Sequence, residues 1–257
     1  MALIEEMELQ GNKWFRYRSY IPLIFLVVGI AVFTYNEWQH LSFFDRNPQF
    51  KLPYGISCLV VSLLGLGIRI YTVGHTPANT SGRNTKAGQV ADELNTTGIY
   101  SIVRNPLYLG NFLMWLGIAM LVANLWFVIA FCFLYWIYYE RIIFAEEQFL
   151  RRKFGDTYLE WAKVTPIFFP KFPSFKKPAY SFSWKKVLKK EKNGLAAIFI
   201  VFALFHLLEK LIDKFVHNKE FILQLNYITI GCLTTCVLYV VLKIFKNYTK
   251  ILDTEGR

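Results

Sequence analysis

The chain has 257 residues, of which 54% are hydrophobic and 18% are aromatic, and charged residues make up 18%. Because soluble domains carry about 25% charged residues, this composition excludes an ordinary soluble domain and is typical of a membrane protein. The formal net charge of +11 is explained by membrane topology and by attraction to anionic lipid headgroups, and we expect no nucleic acid partner.

Six apolar segments are long enough, or nearly long enough, to cross a bilayer, which takes about 20 helical residues. They are 20–35, 52–73, 107–123, 125–145, 194–212 and 221–245. The third and fourth are separated only by Asn124, and one helix over both would be much longer than a bilayer needs. The sequence therefore predicts an all-α fold, a polytopic membrane bundle of about six transmembrane helices with a tight hairpin turn at Asn124.

The distribution of Lys and Arg orients this bundle. If the chain starts in the cytoplasm, most of the 29 Lys and Arg residues lie on the cytoplasmic side, as the positive-inside rule requires. We therefore expect an integral multi-pass protein with both termini in the cytoplasm, in a bacterial inner membrane. This orientation places two long polar stretches, 74–106 and 146–193, on the cytoplasmic face.

The same pattern divides the chain into four parts. An N-terminal segment with the first transmembrane helix (1–52) precedes a membrane core (53–175), a basic linker (176–193) and a C-terminal extension of two transmembrane helices (194–257). In the linker, "KKPAYSFSWKKVLKKEKN", aromatic residues alternate with lysines, which favours a helix lying in the membrane interface.

The stretch "TGIYSIVRNPLYLGN" (97–111) stands at the start of the third apolar segment. Gly98 and Gly110 permit close approach by backbone or by a ligand, and Pro106 suits the first turn of the following helix. Arg104 adds a fixed positive charge with a planar set of donors, which could face a carboxylate or phosphate at the helix start. The alternative is an ordinary helix start whose arginine reaches the lipid headgroups.

A second charged stretch, "ERIIFAEEQFLRRKFGDTYLEWAKVTPIFFP" (140–170), continues the fourth apolar segment out of the membrane. Glu147 and Arg151 stand four residues apart in the order that stabilises a helix, and Gly155 predicts a helix end or a bend. Acidic residues near the hydrocarbon edge are costly and usually have a partner or a function. The alternative is a solvated, charged helix end that is paired with Arg151 and Arg152.

The polar segment "HTPANTSGRNTKAGQVADELNTTG" (75–98) is rich in hydrogen-bond donors. Arg83 and Lys86 are its candidate substrate-binding residues, because such donors suit a phosphate or sugar headgroup. The alternative is a flexible loop or lid. The four cysteines lie in apolar runs and no Cys/His cluster has the spacing of a zinc site, so we expect no metal.

Together the two charged stretches resemble the isoprenylcysteine carboxyl methyltransferase superfamily, which includes the phospholipid methyltransferases. The first signature of that family, Gly-x-[Tyr/Phe]-x-x-x-Arg-His-Pro-x-Tyr-x-Gly, is matched by Gly98, Tyr100, Arg104, Pro106, Tyr108 and Gly110. The second, Glu-Glu-x-x-Leu followed by Phe-Gly-x-x-Tyr and a later Pro, is matched by Glu146, Glu147, Leu150, Phe154, Gly155, Tyr158 and Pro166. The resemblance covers about residues 55–170. It departs at Asn105, where the family has His, which puts a general-base role there in doubt.

The resemblance implies methyl transfer from S-adenosylmethionine, bound at the cytoplasmic membrane face between the helix after the first motif and the helix that carries the second. The cofactor-binding residues that it implies are Tyr100, Arg104, Asn105, Pro106, Tyr108, Gly110, Glu146, Glu147, Leu150 and Tyr158. Our candidates for catalysis are Arg104, Glu147 and Arg141.

We expect the methyl acceptor to be a headgroup phosphate, carboxylate or amine on a lipid or lipidated substrate that enters from the bilayer. A carboxylate or phosphate needs only a cation to place it, whereas an amine must first lose a proton to a nearby Glu. We favour a phosphorylated or glycosylated lipid over a prenylated protein. Two alternatives are a nicotinamide-dependent sterol-type reductase, against which Pro106 argues, and a non-catalytic lipid-binding membrane protein, which Asn105 favours.

Overall fold

The computed structural model describes residues 2–77, 80, 89–218, 220 and 225–253. Regular structure in these residues is helical, apart from one isolated bridge between Gly98 and Lys176. The α-helices are α1 (Leu3–Tyr17), α2 (Ile21–Trp38), α3 (Phe43–Arg46), α4 (Lys51–His75), α5 (Pro106–Leu121), α6 (Leu125–Phe154), α7 (Asp156–Val164), α8 (Trp184–Phe215) and α9 (Tyr227–Tyr248). Short 3₁₀ turns occupy Pro48–Phe50, Ile99–Ser101 and Phe172–Ser174.

The long helices form a polytopic membrane bundle, which confirms the predicted fold class. Five helical segments in the described residues are long and apolar enough to cross a membrane, and they contain α2, α4, α6, α8 and α9. The helix for the third predicted segment, α5, has only 16 residues. At 1.5 Å per residue it is about 24 Å long, shorter than the ~30 Å hydrocarbon layer.

The predicted hairpin between α5 and α6 is present. The backbone turns at Ala123, whose φ is +53°. The side chain of Asn124 then caps the start of α6, because its Oδ1 accepts a hydrogen bond from the Phe127 amide at 3.0 Å. Asparagine favours this position because its short side chain satisfies an otherwise unpaired amide of the first turn.

Small residues bring α4 and α5 into close contact. A Cβ at Gly110 would lie 2.7 Å from Arg69 Cγ and 2.8 Å from the Gly65 carbonyl oxygen. Seven residues further along α5, Gly117 faces Ser62 in the same contact. Such residues let helix backbones approach in a membrane. Helix α4 therefore fills the space that Gly110 leaves. This agrees with close approach by backbone, which is one of the two roles that the sequence allowed for Gly110.

The N-terminal helix α1 packs along the end of α6. Gly11 sits where a Cβ would come within 2.7 Å of the Ala145 Cβ, so only glycine fits without a shift. The Tyr138 hydroxyl donates to the Trp14 carbonyl at 3.0 Å, and the two rings stack at 5.4 Å. This packing places the end of α1 beside the second charged stretch.

The second half of the basic run 176–193 belongs to a long helix in the structure, and the run does not form the separate interfacial segment that was predicted. Helix α8 begins at Trp184 and continues to Phe215, so the boundary placed at 193/194 lies inside one helix. Lys186 and Glu191 are buried, and Lys186 Nζ donates to the carbonyl oxygens of Thr76 and Pro77. Because these charges find partners at the end of α4, they are satisfied inside the protein rather than by lipid headgroups.

Candidate active site

The two charged stretches meet at one end of the bundle. The Arg104 amide donates to the Pro166 carbonyl at 2.8 Å, and Asn105 Nδ2 donates to the Ile167 carbonyl at 3.2 Å. Trp161 Nε1 donates to the Tyr100 carbonyl at 3.1 Å. The segment that follows α7 therefore closes over the loop that precedes α5.

Gly98 begins this loop in a conformation that favours glycine, with φ +61° and ψ −133°. Its amide donates to the Lys176 carbonyl at 2.9 Å, and the Lys176 amide donates to Ser101 Oγ at 2.8 Å. Gly155 has a similar conformation, φ +54°, between α6 and α7, which confirms the predicted helix end there. Pro106 is buried at the first position of α5, as expected.

Arg104 and Glu147 form an ion pair inside this end of the bundle. Arg104 Nη1 lies 2.9 Å from Glu147 Oε1, and the side chains are 14% and 25% exposed. Glu147 thus lies against Arg104, and its predicted helical neighbour Arg151 is exposed. The pair joins the first motif to the second.

Two polar atoms beside this ion pair are buried without a well-aligned hydrogen bond to any described residue. They are Nε of Arg104 and the hydroxyl of Tyr158. Burial, followed by the nearby charge of Glu147, raises the pKa of Tyr158, so its phenol is neutral at physiological pH. Tyr158 lies beside both Arg104 and Glu147, which act on its hydroxyl, and a polar ligand would complete the hydrogen bonding of these atoms.

A second polar pair lies one residue earlier on α6. The Tyr108 hydroxyl donates to Glu146 Oε2 at 2.6 Å. Burial raises the pKa of Tyr100, and the charges of Glu146 and Arg69 both act on it. The first motif therefore supplies a hydrogen-bond donor to Glu146 of the second, and the charge of Glu146 acts on Tyr100 of the first.

Two arginines that the sequence motifs do not include also lie here. Arg18, at the end of α1, stacks on Phe15 at 3.9 Å and acts electrostatically on Glu146. Arg69 on α4 donates to Asn111 Oδ1 at 2.6 Å. A charged residue inside an apolar run, as Arg69 is, was the available sequence signal.

Other candidate residues lie apart from the two pairs or outside the described residues. Arg141 Nη1 lies 3.7 Å from Glu140 Oε2, and Glu140 is half exposed rather than paired with Arg151 or Arg152. Leu150 is half-buried one turn after Glu146. Arg83 and Lys86 fall outside the described residues. Within the described part, no group of three or more His, Cys, Asp or Glu residues is arranged to hold a metal.

Comparisons with known proteins agree with the motifs. The profile of the phospholipid methyltransferase family matches residues 58–157. A protein-S-isoprenylcysteine O-methyltransferase of Schizosaccharomyces pombe is 32% identical over 133 residues, which is 50% of this chain and 56% of that protein. A cobalt-zinc-cadmium resistance protein of Cupriavidus metallidurans is 31% identical over 123 residues, 47% of this chain and 54% of that protein. The chain thus spans about half the length of these two relatives, and no solved structure matches it significantly.

A rice relative is matched over more of its length. The probable protein-S-isoprenylcysteine O-methyltransferase of Oryza sativa subsp. indica is 38% identical over 137 residues, which is 52% of this chain and 71% of that protein. The matched family region contains both polar pairs described above. The chain therefore belongs to the superfamily of isoprenylcysteine carboxyl methyltransferases and phospholipid methyltransferases.

Proposed function

We propose that the chain is an integral membrane methyltransferase that moves a methyl group from S-adenosylmethionine to an acidic oxygen of a lipid-borne acceptor. The observation that carries this proposal is the convergence of the two motifs at one end of the bundle. There Arg104 meets Glu147 and Tyr108 meets Glu146. The isoprenylcysteine relatives are named as O-methyltransferases, which supports oxygen over nitrogen as the acceptor atom.

The residues present fit several polar groups of S-adenosylmethionine, among them its ammonium, its carboxylate and its two ribose hydroxyls. Glu147 and Glu146 would accept hydrogen bonds from the ammonium or the hydroxyls. Nε of Arg104 and the hydroxyl of Tyr158, both buried without a well-aligned partner in the described residues, would donate to the carboxylate. When bound, the cofactor supplies an electrophilic methyl group on a sulfonium.

The state of the carboxylates supports an acidic oxygen as acceptor. A carboxylate or phosphate oxygen is already ionised at neutral pH, so it reacts without a general base. Glu146 is engaged by Tyr108 and Glu147 by Arg104, so an acceptor that needs no general base suits the site. Methyl transfer then depends mainly on orienting the two reactants. Arg104 would orient the acceptor's negative charge, whereas Arg141, which lies against Glu140, receives no role.

An apolar groove suits the lipid part of the acceptor. It has a volume of about 530 Å³ and lies between the outer face of α4, including Leu64 and Tyr71, and the loop residues Ile99 and Ile102. Ile99 and Ile102 flank Tyr100 in the chain, so the groove borders the loop that leads to Arg104. A lipid chain in the groove would bring its headgroup to the polar pairs. By the positive-inside rule this end of the bundle faces the cytoplasm.

Calorimetry on the purified chain tests this proposal. S-adenosylmethionine is titrated into the native protein, Arg104→Ala and Glu147→Ala, in detergent and in lipid nanodiscs. The matched control is Glu160→Ala, which removes an exposed ion pair with Lys163 on α7. We expect binding by the native chain and the control and loss of binding in the two site variants.

Labelled-methyl transfer into a lipid extract then identifies the acceptor. Base-labile release of the label as methanol indicates a carboxyl ester. A base-stable label is then identified by mass spectrometry of the labelled lipid: a methyl phosphate ester indicates a phosphate oxygen, whereas a methylated amine indicates nitrogen and contradicts the proposed oxygen acceptor. No binding by the native chain in either medium would overturn the methyltransferase proposal and favour a non-catalytic lipid-binding protein.

A further inference from the structure

Helix α8 is fixed to the end of α4 at three points. The Ser183 amide donates to the Gly74 carbonyl at 2.9 Å, and Lys186 Nζ donates to the Pro77 carbonyl at 3.0 Å. Further along, Glu191 binds Arg69. The start of α8 therefore has a defined register against the helix that borders the candidate site.

The contact between Glu191 and Arg69 is bidentate and largely desolvated. Arg69 Nε donates to Glu191 Oε2 and Nη2 to Oε1, both at 2.8 Å, and the Glu191 side chain is only 4% exposed. Two parallel hydrogen bonds fix the plane of a guanidinium as well as its position. A buried carboxylate also depends on its partner, because an uncompensated charge there is strongly destabilising.

The orientation of Arg69 is passed to the candidate site. Its remaining nitrogen, Nη1, donates to Asn111 Oδ1 at 2.6 Å. Asn111 lies on α5 three residues after Tyr108 and also contacts Tyr139. Tyr139 stacks on Tyr135, whose hydroxyl donates to the Tyr108 carbonyl at 3.2 Å.

Arg69 also acts directly on the first motif. Its charge and that of Glu146 both act on Tyr100. Through Asn111, Arg69 is also joined to the helix that carries Tyr108.

We propose that Glu191 is a positioning residue for methyl transfer: it holds Arg69, and through Arg69 it holds Asn111 on the helix that carries Tyr108. The inference rests on the proposed function. It assigns α8, which lies outside the family match at 58–157, a part in building the site. Without Glu191, the guanidinium of Arg69 loses its fixed plane and its contact with Asn111 loosens.

The chain contains a matched control for this proposal. Lys51 and Glu209 also join α4 to α8, at 3.0 Å, but at the opposite ends of the two helices. Glu191→Gln and Glu209→Gln therefore remove one interhelical ion pair each, one at the site and one far from it. Both variants are compared with the native chain in nanodiscs.

The readouts are thermal stability and the kinetics of labelled-methyl transfer. We expect Glu191→Gln to lower kcat/KM about tenfold, since small misplacements of reacting groups are costly, while Glu209→Gln leaves kcat/KM near the native value. The double variant Arg69→Gln/Glu191→Gln removes both buried charges, so we expect it to regain thermal stability without regaining activity. Recovery of both together, or equal kinetics for Glu191→Gln and Glu209→Gln, would show a packing role only and overturn the inference.

Hydrogen exchange separates failure of this inference from failure of the proposed function. It is measured without cofactor or substrate on the same variants. We expect the amides of α5 around Tyr108 and Asn111 to exchange faster in Glu191→Gln than in Glu209→Gln. If the native chain does not bind S-adenosylmethionine, the proposed function fails and this difference still tests the structural link. If the native chain binds and the exchange profiles are the same, the positioning role is wrong.

Discussion

Arg104 Nη1 lies 2.9 Å from Glu147 Oε1, and this contact joins two motifs that stand on either side of the α5–α6 hairpin. Both side chains are largely buried from solvent. Mutating either one therefore leaves the charge of the other poorly compensated. In a double-mutant cycle of Arg104→Gln and Glu147→Gln we expect an interaction free energy of about 1–3 kcal/mol.

The same cycle on Lys163 and Glu160, an exposed pair on α7, serves as the control. We expect it to give an interaction free energy close to zero, since exposed ion pairs contribute little. The measurement is chemical unfolding in mixed micelles. A site cycle that is also near zero would contradict the geometry of the Arg104–Glu147 pair.

Much of the fold follows from local sequence patterns. The apolar segments correspond to helices, because the length and composition of a segment are enough to predict a membrane-spanning helix. Asn124 was enough to locate the hairpin, since its capping hydrogen bond is made to Phe127, three residues away. Gly155 likewise ends α6 through its own backbone conformation.

The parts of the site that the sequence did not predict depend on contacts between residues far apart in the sequence. Glu191 reads as one more charge in a lysine-rich run, and only its contact with Arg69, 122 residues earlier, gives it a role. The run that contains Lys186 suggested a helix lying in the membrane interface, but in the structure Lys186 binds carbonyl oxygens at the end of α4. No spacing rule within a helix predicts such pairs, because they depend on how α4 and α8 pack.

Gly67 provides a test of the lipid groove. It lines the groove on α4, and a Cβ there would meet no atom within 4 Å. We expect Gly67→Ala to be tolerated and to stabilise the helix by about 0.5–1 kcal/mol. The larger Gly67→Leu should fill part of the groove, raise KM for the lipid acceptor and leave binding of S-adenosylmethionine unchanged.

A lipid-facing control for Gly67→Leu is Val237→Leu on α9, where the native side chain is 65% exposed. Labelled-methyl transfer and calorimetry are measured on both. Native kinetics for Gly67→Leu would show that the groove does not take part in acceptor binding.

Acid should loosen α1 from α6 through Glu8. Its carboxylate accepts two hydrogen bonds from Arg152, at 2.5 and 3.1 Å, and this hydrogen bonding lowers its pKa. A lowered carboxyl pKa contributes stability that is present above the unfolded pKa, about 4.3, and is lost as pH falls through the folded value. Because the pair is largely exposed, we expect at most about 1 kcal/mol.

The measurement for Glu8 is the difference in melting temperature between the native chain and Glu8→Gln from pH 7 to pH 3. We expect the native chain to be more stable at pH 7 and the difference to vanish toward pH 3. Glu5→Gln on the same helix controls for general charge effects. A constant difference across this range would show that Glu8 does not act through its charge.

Asn105 stands where the family has His, and its role can be separated into loop support and titration. Asn105 Nδ2 donates to the Ile167 carbonyl at 3.2 Å, so Asn105→Ala should weaken the closure over the loop and reduce affinity for S-adenosylmethionine. Asn105→His keeps an N–H donor and adds a ring with a pKa of about 6.5. At pH 8 the ring is neutral, and we expect affinity close to that of the native chain.

Below pH 6.5 the added imidazole becomes a cation next to Arg104. A second positive charge competes with the ammonium and sulfonium of the ligand for Glu147, so the affinity of Asn105→His should fall with acid. The native amide does not titrate, so the native chain should lack this additional fall in affinity. The test is calorimetry from pH 5.5 to 8.5. A flat profile for Asn105→His, or native affinity in Asn105→Ala, would place this residue away from the ligand and leave only its part in the loop.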